Sequence, residues 1–206
     1  MTEATTQDVE SIQGAVQRLL GQCLLRLQAY ERLMKAIATQ HEVSGSAKSL
    51  SENLAEREAV IARKTLGQLV GQLLGSFLTR DDQLKPINDS SEPSKGAASI
   101  AFSMQIAYPA DAFLRIEREL SEFVQLRNDL VHHFAERHDL TNFAGCQIAE
   151  QALIEAAKRI ERHHADLRSW GEDLNNSRIM MAEAIKSPEL RDAMSRNDCG
   201  ELHLKL

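Results

Sequence analysis

Apolar residues recur along this chain at steps of three, four and seven, the spacing that gathers them on one side of a helix. Between about Gln7 and Glu42 the stripe is Leu20, Leu24, Leu27, Met34 and Ile37, and Val43-Ser44-Gly45-Ser46 then reads as a helix stop. A second helix is predicted to start near Ser49 or Ser51, where Ser49 with Glu52 three residues on fits a capping box. It is expected to run on through Ile61, Leu66, Leu69, Val70, Leu73, Leu74, Phe77 and Leu78, with Gly67, Gly71 and Gly75 as a small-residue edge for a neighbouring helix. From Arg80 to about Ala97, Asp, Asn, Ser, Pro and Gly dominate, which predicts a loop. Ile100, Phe102, Met104, Ile106 and Tyr108 then alternate with small or polar residues, a pattern that fits either an extended segment or the first turns of a helix.

Pro109 suits the first turn of a third helix, with Ala110 to Arg137 following. Asp139 to Gly145 reads as a connector. A fourth helix is predicted from about Cys146 to Asn175, packing through Ile148, Ala152, Ile154, Ile160 and Leu167. Two short helices near Ile179–Lys186 and Pro188–Ser195 and a frayed stretch from Arg196 to Leu206 complete the chain. The expected fold is all-α: one domain over 1–206 with its core at about 7–176, a bundle of four main helices, an excursion at about 80–108, and short helices and a tail from about 178.

Composition narrows the function. Aromatic residues make up only 4% of the chain while hydrophobic residues reach 43%, so Leu and Ala must fill the core, as they do where helix packs on helix. The net charge of −6 repels phosphate at long range, so any nucleic-acid contact needs a local basic site. Cys23, Cys146 and Cys199 are widely spaced and odd in number, which fits reduced thiols. The polar start Met1-Thr2-Glu3-Ala4 and the charge-broken apolar stretches lead us to expect a cytoplasmic protein without membrane contact.

The densest chemistry lies in Arg127-Asn128-Asp129-Leu130-Val131-His132-His133-Phe134. On a helix Arg127 has Phe123, Val124, Leu130 and Val131 as surface neighbours, all apolar, so its charge must find a carboxylate, a phosphate or a partner chain. Within the chain Glu119 and Glu122 are the expected carboxylates. His132 is flanked by Asn128 and Asp129, and Asp129 can reach either His132 or His133. A fixed cation, an amide and a histidine that titrates near neutrality can hold a phosphate and move a proton. Arg127 and His132 are five residues apart, which on an α-helix separates them by roughly 140°. A site using both needs the arginine to bend round or two copies to face each other.

Arg127-Asn128-x-x-x-His132 resembles the motif of HEPN domains: arginine, a polar residue, then histidine after four to six intervening positions. The lead-in Leu120-Ser121-Glu122-Phe123-Val124-Gln125-Leu126 is similar to that of such motif helices, and about Phe102 to Ala157 resembles the HEPN-like branch that includes mannitol-operon regulators. The resemblance implies a helical bundle that dimerises through the motif helix. It implies a metal-independent endoribonuclease, as toxin or antiphage effector, with no cofactor and with RNA as substrate. Carried over, Arg127 would stabilise the scissile phosphate, Asn128 would position it or the histidine, and His132 would act as general acid/base. His133 is a reserve candidate and Asp129 a supporting residue. The tyrosine that some HEPN toxins carry two residues after the histidine, where a partner modifies them, is Phe134 here. Control by that route is not expected, although another antitoxin or regulatory protein remains open.

Two other classes stand beside this reading. Some HEPN-like proteins work by binding alone, and the acidic balance together with the lack of a basic patch with interleaved aromatics fits a non-catalytic dimeric regulator or interaction module. A di-metal carboxylate bundle is the remote alternative: Glu161-x-x-His164 has the required spacing and Asp129-x-x-His132 resembles it, with Glu31 and Glu56 as further carboxylates. No phosphate-binding loop, dinucleotide fingerprint or nucleophile elbow occurs in the sequence.

Overall fold

The computed structural model describes residues 6–46, 49–84 and 99–188. Its elements are α1 (Thr6–Gln40), β1 (Glu42–Ser46), α2 (Leu50–Ala62), α3 (Leu66–Leu73), β2 (Leu78–Arg80), β3 (Ser99–Ser103), β4 (Ile106–Tyr108), α4 (Ala110–Asn128), a π turn (Asp129–His133), α5 (Phe134–Arg137) and α6 (Phe143–Lys186). The fold is all-α, with short strands beside the helices. The predicted helix over Pro188–Ser195 and tail over Arg196–Leu206 lie almost wholly outside the described residues, as does most of the predicted loop.

Two long helices, α1 and α6, form the spine. Gln13 donates to the Leu140 carbonyl at 2.7 Å just before α6, Cys23 Sγ lies 3.7 Å from the Leu153 carbonyl, and Arg178 donates to Gln40. These contacts advance together along both helices, so α1 and α6 run parallel. Their seam buries Val16, Cys23, Leu27, Tyr30, Met34 and Ile37 against Cys146, Ala149, Leu153, Ala156, Ile160, Leu167, Trp170 and Leu174. The predicted packing stripe of α6 needs correction at its start. Ile148 is 65% exposed and Ala152 is exposed, because the buried stripe runs one position away through Ala149 and Leu153. Helix α6 also begins earlier than expected, at Phe143, where Asn142 accepts a 2.8 Å hydrogen bond from the Gly145 amide as its N-cap. A Cβ on Gly145 would stand 1.9 Å from the Asp139 carbonyl oxygen, so this turn closes only on glycine. The short helix expected at Ile179–Lys186 is the continuation of α6.

Against this spine α2 lies antiparallel to α1. Arg57 donates to the Ala38 carbonyl through Nε and Nη2, and Lys35 donates to that of Ala62, so each helix caps the other's C-terminal carbonyls. The expected single second helix is broken at residues 63–65. Ser49 makes no side-chain cap bond, whereas Thr65 and Gln68 form a reciprocal capping box that starts α3. Thr65→Ala is therefore expected to cost about 0.5–2 kcal/mol of stability, measurable as a lower urea midpoint. Of the three glycines, Gly67 alone borders a neighbouring helix, near Val124. Gly75 lies beyond α3 with a φ of +86°, where it turns the chain into β2.

The segment that reads as a helix stop is β1, which pairs antiparallel with β3 from Glu42↔Ser103 to Ser46↔Ser99; β2 pairs parallel with β4. The alternating stretch from Ile100 to Tyr108 is thus extended. Next to these sheets His41 is 1% exposed, with Nδ1 3.2 Å from the Ile37 carbonyl and Nε2 3.3 Å from Ser76 Oγ. Burial and the Arg57 charge hold its pKa below the ordinary histidine value. Below that ordinary value the unfolded chain takes up the proton first, so this part of the stability is complete above it and is lost as the pH falls through the folded value. Urea midpoints are expected to drop between about pH 7 and pH 5, and less steeply in His41→Gln.

Candidate functional site

Helix α4 crosses the spine antiparallel to both long helices. Phe123 is fully buried, its ring 4.6 Å from that of Tyr30 on α1 and 4.3 Å from that of His163 on α6. One turn later comes Arg127, half-buried, at the point where α4 passes into the π turn. An i→i+5 backbone pattern brings residues five apart onto nearly one face, whereas the α pattern separates them. The π turn thus does what sequence reasoning assigned to a bent arginine or a second copy: within one chain, Arg127 Nη1 lies 3.3 Å from His132 Nε2.

The guanidinium is held on three sides. Nε donates to Glu31 Oε1 at 3.1 Å, and Nη1 donates to Asn128 Oδ1 at 3.3 Å as well as approaching His132. Nη2 makes no hydrogen bond among the described residues. Because arginine has no acceptor, the contact to His132 requires the imidazole lone pair on Nε2, which places the ring proton on Nδ1. His132 is exposed, so this lone pair sits at the surface beside a fixed positive charge. Glu31 as the partner is a correction, since Glu119 and Glu122 were the expected carboxylates. Glu31 lies 96 residues away on α1, and no local pattern connects the two.

Other predicted roles shift as well. Asp129 Oδ2 pairs with Arg137 at 2.5 Å, and no hydrogen bond from Asp129 to either histidine is found among the described residues. His133 is exposed, lies 3.1 Å from Glu136 and sets its ring edge-on to that of His132, with centroids 6.2 Å apart. Phe134 is buried against His138, with ring centroids 4.6 Å apart. The carboxylates considered for a di-metal centre are dispersed: Glu31 is bound to Arg127 and Glu161 pairs with Arg168, while His164 packs edge-on to Tyr30. Among the described residues no three His, Cys, Asp or Glu side chains gather as a metal-binding group.

Val131, between Arg127 and His132 in sequence, is 43% exposed. No helix among the described residues is long and apolar enough to cross a membrane. Comparison of the chain with family models, with curated proteins and with solved structures finds no match.

Proposed function

We propose that this protein is a metal-independent endoribonuclease of HEPN type, a toxin or antiphage effector, that cleaves RNA in a composite site formed by two copies. The observation that carries the reading is the 3.3 Å contact of Arg127 with His132 across the π turn. It puts a fixed cation and a histidine lone pair within reach of one phosphate. The unused Nη2 edge of Arg127 would bind a non-bridging oxygen, with Asn128 holding the guanidinium in plane. Once the phosphate draws Arg127 Nη1 away from its lone pair, His132 Nε2 would take the proton of the ribose 2′-hydroxyl. The 2′-oxygen would then attack phosphorus and the bond to the 5′-oxygen would break. This leaves a 2′,3′-cyclic phosphate and a 5′-hydroxyl, whose proton would come from His132 of the second copy. Exposed Val131 supports a dimer through this surface, and Phe134 offers no hydroxyl at which a partner could modify the chain.

The second reading is a non-catalytic dimeric regulator. It is favoured by the ion pair with Glu31, which already satisfies much of the Arg127 charge, and by the net charge of −6. Incubation of purified dimer with mixed RNA in EDTA separates the two. Cleavage lost in Arg127→Ala and His132→Ala supports the ribonuclease; silence of an intact dimer supports the regulator.

A further inference from the structure

A second concave site lies about two helical turns from Arg127, between the first half of α4 and the far half of α6. The cleft holds about 330 Å³ and is lined by Tyr108, Ile116, Glu119, Leu120, His163, Asp166, Ser169 and Trp170. That volume is in the range of small-molecule sites. Helical spacing explains the lining: His163, Asp166, Ser169 and Trp170 share one face of α6, and Ile116, Glu119 and Leu120 share one face of α4. Tyr108 enters from the end of β4.

The chemistry of the lining is one-sided. Trp170 donates through Nε1 to Tyr108 Oη at 3.1 Å, which locks two aromatic side chains into one wall. Two carboxylates, Glu119 and Asp166, join that wall; neither forms an ion pair or a hydrogen bond among the described residues. None of the eight lining residues is lysine or arginine. Of the nearby cations, Arg159 pairs with Glu122 and Arg168 with Glu161, while Arg162, whose charge also reaches His163, lines the separate groove between α1 and α6 and not this cleft. Burial holds the pKa of His163 below the ordinary histidine value, which keeps that ring from supplying the missing positive charge near neutrality. Aromatic rings with carboxylates and no resident cation attract an organic cation twice, through ring quadrupoles and through charge.

We infer that the cleft between α4 and α6 is a binding site for a small organic ammonium ion, seated against Trp170 and Tyr108 and neutralised by Glu119 and Asp166. The site is separate from the Arg127 cluster, and its test does not depend on RNA cleavage.

Trp170 is the sole tryptophan of the chain, so its fluorescence reports on this cleft alone. Choline is the probe, and 3,3-dimethyl-1-butanol is its uncharged isostere. The expected result is a saturable change in Trp170 emission with choline, weaker at high salt, and no saturable change with the alcohol. Glu119→Gln and Asp166→Asn together are expected to weaken choline binding by about tenfold or more. Both residues are exposed, so the variants should unfold at the wild-type urea midpoint. The inference is overturned if choline gives no saturable response, if the alcohol responds equally, or if the double variant binds choline as wild type does.

Discussion

Alanine at His132 is expected to slow RNA cleavage in EDTA by about 10²–10⁴-fold, the range over which a positioned general acid/base acts. Arg127→Ala should cost about 10²–10³-fold, the usual loss when a preorganised donor to a charged transition state is removed. The two effects should not multiply. Arg127 Nη1 and His132 Nε2 are in contact, and groups that act as a unit lose most of their effect with the first deletion, so the double variant should resemble the worse single one. His133→Ala should retain nearly full activity, because His133 Nδ1 is engaged by Glu136 and makes no hydrogen bond to Arg127 among the described residues. Sedimentation of each variant must match that of the wild type for the comparison to count. A His132→Ala protein as active as wild type would end the ribonuclease proposal as stated here.

Phe123→Ala is expected to produce the largest loss of stability, about 3–5 kcal/mol. The side chain is 0% exposed and is the common contact of α4 with α1 and α6, through Tyr30 and His163. Its removal leaves a cavity that neither long helix can close without losing its partner. In a chain of this size the change should lower Tm by about 6–20 °C. Urea unfolding followed by helical circular dichroism measures it directly, and a loss below about 1 kcal/mol would mean that the three helices do not meet at this ring. Phe123→Leu should recover much of the difference, since it restores volume without the edge-to-face contact.

The sequence was legible where periodicity was long. The stripe of α1 and the later half of that of α6 could be read because many turns repeat the same spacing, and the alternation from Ile100 to Tyr108 had the right period for strands. It was silent where the outcome depends on distant residues. Val43-Ser44-Gly45-Ser46 ends α1 as its composition indicates, but that pairing with β3 makes it a strand is decided far along the chain. The break before α3 did carry a signal, Thr65 with Gln68, but the apolar run on both sides masked it. At the candidate site the residue types were legible and their mutual geometry was not. A π turn has no marker in the residues from Asp129 to His133, and the Arg127–Glu31 pair joins helices whose register only packing determines.

The parallel course of α1 and α6 also bears on how the chain reaches its fold. Helices that run the same way cannot be joined by a tight hairpin, and here the Gln13–Leu140 contact spans 127 residues and Arg178–Gln40 spans 138. Contacts of such separation close late, because the intervening chain must be ordered or looped before they form. During synthesis, α1 leaves the ribosome with Leu27, Tyr30, Met34 and Ile37 on one side and waits for the residues around Ile160 and Leu167 to cover them. For most of that interval α2 and α3 can dock on α1 while its α6-facing stripe stays uncovered, which makes that stripe the part most in need of a chaperone and the first place where crowded expression should yield aggregates.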